Sequence, residues 1–171
     1  MHLGGPNGEL GASLRYLSQR YTMPDAVSKG ILTDIGVEEL GHLEMVGTLV
    51  TQLSKDAPPK EWSELGSWEY YADNGASVSP QSSQGTPFNA ASIAVTGDPI
   101  TNLYEDLAAE QKARAVYDNI LRLSDDPDAN EVIKFLRQRE IVHFQRFGEV
   151  LNKLQEKAQC KNNFYMGKKI M

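Results

Sequence analysis

Glutamate and histidine recur in this chain at a spacing that suits metal binding. Glu39 and His42 stand three residues apart, which on an α-helix places both side chains on one face. The same Glu-x-x-His pattern returns at Glu140 and His143. Carboxylates and imidazoles together suit manganese or iron, and a carboxylate bridges two such ions readily. The two motifs therefore predict metal chemistry at a site to which two helices contribute.

A single glutamate precedes each motif, so the pattern is a repeated set of three residues. Glu9 and Glu110 each lie 30 positions before the glutamate of their motif. An offset of 101 positions maps the whole first set onto the second, and it also maps Tyr16 onto Tyr117. Two such sets are the ligand pattern of ferritin-like, carboxylate-bridged dimetal proteins, in which two helices supply one Glu each and two supply Glu-x-x-His.

Each of these residues has a simpler explanation when it is taken alone. An isolated Glu-x-x-His pair is more often solvated or salt-bridged than metal-bound, and Glu9 alone would complement the positive end of a helix dipole. Such explanations must account for every coincidence separately, whereas one dimetal site accounts for all of them. Because burying four carboxylates and two imidazoles without cations would be costly, the sequence favours a dimetal site.

Apolar residues at helical spacing predict the four helices that position these side chains. The first covers about 8–21 and the second about 24–54. The Asp-Pro dipeptides at 98–99 and 126–127 predict the starts of the third and fourth, because Asp caps a helix and Pro suits its first position. The short link between the last two helices makes them antiparallel neighbours.

The second predicted helix contains glycines at positions 30, 36, 41 and 47. Each glycine inside a helix costs about 1 kcal/mol relative to alanine, so four of them require compensation. We expect close approach of another backbone to provide it, with small side chains beside a ligand as the second explanation.

The stretch over about 56–97 has no helical periodicity, although it contains Trp and Tyr residues that should lie against protein. A connection of this length is what a four-helix bundle needs to carry the chain to its other end. We therefore expect a single all-α domain over 1–171, with a ferritin-like four-helix bundle at about 8–157 and a long crossover between helices two and three. The tail, 158–171, has no predicted structure.

Composition argues against several classes of partner. The formal charge of −6 and the pI near 5.1 do not suit nucleic acid or an anionic membrane. No stretch approaches the roughly 20 apolar residues that span a bilayer, and the first residues lack the pattern of a signal peptide. The single cysteine, Cys160, has no partner for an internal disulfide, which favours a reducing compartment. We therefore expect a cytoplasmic protein.

Several stretches around the predicted ligands resemble manganese catalases. The motifs are Gly-Gly-Pro-Asn-Gly-Glu-Leu at the start of the first helix and Glu-Glu-Leu-Gly-His-Leu-Glu in the second. The stretches that carry the resemblance are 4–10, 15–17, 21–24, 33–44, 97–99, 108–115 and 139–144. The resemblance extends to about residue 155 and is greatest to the short, spore-coat branch of that family.

The resemblance implies a ligand set for two manganese ions. Glu39 would bridge the two ions. Glu9 and His42 would complete the protein ligands of one ion. Glu110 and His143 would complete those of the other.

Two more residues acquire roles from the resemblance, together with an activity. Glu140 matches a glutamate just outside the direct ligands that accepts and donates protons, and Tyr16 matches a tyrosine hydrogen-bonded to the ligand carboxylates. From the residues alone, Tyr16 has the equal alternative of a core tyrosine with a satisfied hydroxyl. The implied reaction is disproportionation of hydrogen peroxide to water and dioxygen. The resemblance also implies a homo-oligomer, since the family is typically hexameric.

Two other functions stay open at this point. A di-iron ferritin-like oxidase or peroxidase would use the same ligand types, because ligand identity alone does not choose between manganese and iron. A structural component of the spore coat, assembled with other coat proteins, would keep the site but use the fold for assembly.

Overall fold

Each long helix after the first begins at an aspartate that caps free backbone N–H groups. In the computed structural model, which describes residues 2–56, 64, 80–82 and 86–160, Asp25 accepts a hydrogen bond from the Ser28 amide at 2.9 Å. Asp98 accepts one from the Thr101 amide at 2.7 Å, and Asp126 accepts from two amides of the following turn. Such caps satisfy donors that a helix start leaves unpaired.

The described residues contain four long helices, of which the last three have these caps. They are α1 (Glu9–Gln19), α2 (Ala26–Ser54), α3 (Pro99–Leu123) and α4 (Pro127–Cys160). Short 3₁₀ turns occupy Arg20–Thr22 and Ala90–Ser92. The predicted all-α class and the four helices are confirmed. None of these helices is both long and apolar enough to cross a membrane.

The predicted boundaries differ from the observed ones by a few residues. Helix α2 begins at Ala26 because its cap is Asp25, and α1 gives way at Arg20 to a 3₁₀ turn. Helix α4 continues to Cys160, three residues beyond the predicted 157. Most of the predicted crossover, including its Trp and Tyr residues, and the tail 161–171 lie outside the described residues.

The helices associate as two hairpins, α1 with α2 and α3 with α4, that pack face to face. Ion pairs join the hairpins along one side, since Arg139 contacts Glu38 at 2.6 Å and Arg146 contacts Asp34 at 2.6 Å. Side chains that point between the hairpins are therefore drawn from both halves of the chain.

The interior contains two apolar clusters with a polar layer between them. The first is centred on residues such as Tyr16, Leu32 and Phe147, and the second contains Leu136 and Tyr117. Between the clusters, α2 and α4 carry the Glu-x-x-His motifs at 39–42 and 140–143. Buried charge is costly without partners, so the carboxylates and imidazoles of this layer need groups that compensate their burial.

The four glycines of α2 do not share one role. An added Cβ at Gly36 would lie 2.9 Å from Leu17 Cγ and 3.4 Å from the Leu17 backbone nitrogen, and Ser13 Oγ donates to the Gly36 carbonyl at 2.6 Å. Close approach of α1 therefore explains Gly36. The same expectation is wrong for Gly30 and Gly41. Among the described residues, a Cβ added at either position would meet no atom within 4 Å apart from its chain neighbours and its own helix backbone.

Because the surroundings of Gly30 and Gly36 differ, substitution by alanine should change the free energy of unfolding in opposite directions at the two positions. Gly30→Ala should raise the free energy of unfolding by about 0.5–1 kcal/mol, because alanine removes the cost of a helical glycine. Gly36→Ala should lower it by about 1–3 kcal/mol, because the methyl group overpacks against α1. Denaturant unfolding of the metal-free proteins, followed by circular dichroism, measures both. Equal stabilisation by the two variants would mean that α1 and α2 do not approach closely at Gly36.

Candidate metal centre

The six glutamate and histidine residues of the two predicted sets meet in the polar layer, and all six are buried. They are Glu9, Glu39, His42, Glu110, Glu140 and His143. They form two groups of four, and in each group the potential ligand atoms lie within 4.8 Å of one another. Two carboxylates, Glu39 and Glu140, belong to both groups. The arrangement has the form of two adjacent cation positions with shared ligands.

Glu39 lies between the two imidazoles. Its Oε2 is 2.9 Å from His42 Nδ1, and its Oε1 is 2.7 Å from His143 Nδ1. The two imidazole rings stack at 20° with centroids 5.5 Å apart. One carboxylate thus offers one oxygen to each histidine, which is the geometry that a bridging ligand needs.

The other two single glutamates flank this centre. Glu9 Oε2 lies 4.0 Å from His42 Nδ1, and Glu110 Oε2 lies 3.6 Å from His143 Nδ1. Because α1 supplies Glu9 and α3 supplies Glu110, each imidazole faces a glutamate from a helix other than its own. Each half of the centre therefore has one imidazole and one carboxylate besides the shared pair.

Whether a cation fits the site depends on whether the polar atoms of these side chains already hydrogen-bond to one another. Several of them do not. Four buried atoms, Glu39 Oε1, Glu110 Oε2, Glu140 Oε1 and His143 Nδ1, have no hydrogen bond within the described parts of the chain. Two of them approach to 2.7 Å without hydrogen-bond geometry. Buried polar atoms normally have partners, so lone pairs directed at a common space fit bound cations.

Electrostatics supports the same fit. Burial, followed by the charges of Glu110 and Glu9, raises the pKa of Glu140 far above its usual range. Burial also raises the pKa of Glu39, to about 7, although the close contacts with His143 and His42 oppose it. Carboxylates packed together in a dry interior resist ionisation unless positive charge is near. Divalent cations would supply that charge, and carboxylate and imidazole donors suit manganese or iron.

Glu38, which the sequence analysis did not select, faces the outer nitrogens of both imidazoles. Its oxygens lie 3.5 Å from His42 Nε2 and 3.2 Å from His143 Nε2. Arg139 holds the same carboxylate through Nε at 2.6 Å and Nη2 at 3.2 Å. Although burial raises the pKa of Glu38, the contacts with Arg139 and His143 lower it to about 2. A carboxylate at this place favours a proton on Nε2 and leaves Nδ1 for a metal ion.

A signal for Glu38 was present in the repeat. Glu38 and Arg139 are related by the same offset of 101 positions as the candidate ligands. At this offset a glutamate corresponds to an arginine, so the pair does not stand out as a repeated residue type.

Two tyrosines connect the halves of the centre crosswise. The Tyr16 hydroxyl donates to Glu110 Oε1 at 2.5 Å, and the Tyr117 hydroxyl donates to Glu9 Oε1. Each tyrosine thus binds the glutamate of the other repeat. Burial, then the neighbouring carboxylates, raises the pKa of both hydroxyls, so they stay protonated as donors.

His2 is a further contact that the sequence analysis did not predict. Its ring is buried and stacks on Tyr117 with centroids 3.9 Å apart, and its Nδ1 lies 3.1 Å from Glu9 Oε1. A single histidine in a glycine-rich segment belongs to no periodic pattern, so no sequence signal pointed to it.

Comparisons with known proteins identify a matching family, similar sequences and a similar structure. The profile of the family described as manganese containing catalase matches residues 1–164. Protein CotJC of Bacillus subtilis is 50% identical, over 94% of this chain and 85% of its own. A probable manganese catalase of Clostridium acetobutylicum is 36% identical, over 94% and 71%. The crystal structure of KatB, a manganese catalase from Anabaena, superposes with a TM-score of 0.81 at 34% identity, over 90% of this chain and 69% of KatB.

The position of Glu38 leads to a prediction about metal affinity. Glu38→Gln removes the charge that faces both imidazoles, and the affinity for Mn(II) should fall about 10- to 100-fold, as it does when an outer partner of a metal ligand is lost. Calorimetric titration of the metal-free protein measures this.

Asp34→Asn is the matched control. It removes the same charge from the same helix, but Asp34 is 66% exposed and pairs with Arg146. Equal losses in both variants would attribute the effect to net charge and contradict a specific role of Glu38.

Proposed function

The chain belongs to the family of manganese-containing catalases, and we propose that it disproportionates hydrogen peroxide to water and dioxygen at two manganese ions. The observation that carries this proposal is the pair of overlapping four-residue groups, which share Glu39 and Glu140 between two imidazoles. In the proposal the chain is one ferritin-like domain over 1–171 that forms a homo-oligomer, as a hexamer, in the cytoplasm.

Contacts among the six side chains support the proposed ligand set. Glu39 would bridge the ions, because each of its oxygens faces a different imidazole. Glu9 and His42 would hold one ion, and Glu110 and His143 the other. When bound, two manganese ions supply two one-electron changes, which match the two electrons that a peroxide molecule gains or loses.

Glu140 is the proposed proton carrier. Reduction of one peroxide to two waters consumes two protons, and oxidation of a second peroxide to dioxygen returns two. Glu140 Oε1 is buried and free of hydrogen bonds to any described residue, and its carboxyl has a raised pKa caused by burial and neighbouring carboxylates. A carboxyl in that state gives up a proton only when charge nearby changes, which suits a general acid and base.

Supporting groups would hold the ligands in place while protons move. Tyr16 donates to Glu110 Oε1 and Tyr117 to Glu9 Oε1, whereas the other oxygen of each glutamate faces His143 or His42. Because burial keeps both hydroxyls protonated, they remain donors throughout. The remaining oxygen of each glutamate is then directed at the metal positions.

Two substitutions test the proposal. Glu39→Gln should lose both ions and peroxide turnover, because an amide bridges cations poorly. Glu140→Gln should keep two ions per chain but lose turnover at least about 100-fold, as expected when a general acid and base is removed. Oxygen release from peroxide and elemental analysis of protein from manganese-supplemented cells measure both quantities.

The exposed Glu44→Gln, on α2, is the control and should retain metal and turnover. Loss of metal in Glu140→Gln would make Glu140 a ligand instead of a proton carrier. Iron in the wild-type protein, with no oxygen release, would favour a di-iron oxidase or peroxidase.

A role in assembly is the second candidate function. The sequence resembles the short spore-coat branch of the family, and the 50% identity to Protein CotJC exceeds the 36% identity to the probable manganese catalase of Clostridium acetobutylicum. In this alternative the protein resides in the spore coat and assembles with other coat proteins.

Assembly and catalysis should respond differently to loss of Glu39, the proposed bridging ligand. A purely structural protein would show negligible turnover as wild type, and Glu39→Gln would leave its self-assembly unchanged by light scattering and gel filtration. Measurable wild-type turnover would contradict a purely structural role.

A further inference from the structure

His2 contacts Glu9, one of the two single glutamates. No histidine takes the same place beside the other, Glu110. Its Nδ1 lies 3.1 Å from Glu9 Oε1, the same oxygen that accepts from the Tyr117 hydroxyl. At the related position, Glu110 Oε1 accepts from Tyr16. The chain contains three histidines, and the other two, His42 and His143, face the shared centre themselves. Glu110 therefore lacks a histidine donor of this kind.

The segment that carries His2 is held by its own packing. The His2 carbonyl accepts a hydrogen bond from the Glu9 amide at 2.8 Å. Leu3 is buried in the same apolar cluster as Tyr117. Gly4 lies so close to Pro80 that an added Cβ would be 2.1 Å from the Pro80 carbonyl carbon. His2 is thus held against Glu9 by contacts that involve neither its own ring nor the side chain of a proposed metal ligand.

The direction of the hydrogen bond follows from the chemistry of the acceptor. A glutamate that binds a metal ion is a carboxylate, and a carboxylate only accepts hydrogen bonds. His2 Nδ1 must then carry the proton and donate it to Glu9 Oε1. With that oxygen engaged by His2 and Tyr117, Glu9 Oε2 is the atom left to face His42, 4.0 Å from its Nδ1.

We propose that His2 is a positioning residue that fixes the orientation of Glu9 and makes the Glu9–His42 half bind its ion more tightly than the Glu110–His143 half. The proposal rests on the dimetal site of the proposed function. Its physical reason is that a ligand held in its bound orientation loses less freedom on binding. The symmetric ligand set therefore has two unequal metal positions.

Two variants separate the hydrogen bond from the packing of the ring. His2→Phe keeps an aromatic ring for stacking on Tyr117 but has no donor. His2→Gln has a donor amide but no ring. Titration of metal-free full-length protein with Mn(II) alone, by calorimetry, resolves the affinity of each ion.

The wild type should bind two ions with unequal affinities. His2→Phe should weaken the tighter one about tenfold, within the range for outer partners of metal ligands, and leave the other within about twofold. His2→Gln should restore the tighter ion to within about threefold of wild type. Equal weakening of both ions in His2→Phe, no weakening, or no recovery in His2→Gln would overturn the proposal.

A second measurement on the wild type does not depend on how the variants fold. In a crystal of protein given one equivalent of Mn(II), anomalous scattering should be greater at the Glu9–His42 position. Equal or reversed occupancy would overturn the proposal, while leaving the dimetal site itself intact. A wild-type protein that binds no Mn(II) would overturn the proposed function, and the role of His2 with it.

Discussion

The constraint on which the rest of the structure depends is a layer of carboxylates and imidazoles buried between two apolar clusters. Burial in this layer would cost several kcal/mol for each unpaired charge, and the side chains do not pair fully with one another. The apolar clusters above and below supply the stability of the bundle. They also keep the layer buried, so that its carboxylates ionise readily only when positive charge lies near them.

The twofold repeat distributes this layer over both halves of the chain. Each hairpin contributes one Glu-x-x-His motif and one single glutamate, and each tyrosine binds the glutamate of the opposite hairpin. Glu38 and Arg139, also related by the repeat, join the two hairpins behind the imidazoles. Neither hairpin has a complete centre alone. The centre is therefore complete only when the two hairpins pack together.

Helix starts, candidate ligands and the class of fold could be predicted from the sequence because their signals are local or strictly repeated. Asp98 and Asp126 are caps that act within one turn, and a helix brings Glu39 and His42 to one face whatever lies beside it. The repeat then indicated that both motifs serve one centre. The glycines of α2 show the limit of such reasoning, because within the described ranges only Gly36 meets a neighbouring helix.

The sequence by itself determined which residues make up the candidate centre, because the spacing of Glu-x-x-His and its offset copy leaves few other arrangements on four helices. Only the tertiary structure decided which groups surround them. The crossed tyrosines, Glu38 on His143 and His2 on Glu9 are contacts between different segments. Their partners depend on how the hairpins and the first loop pack, and no spacing along one helix encodes that packing.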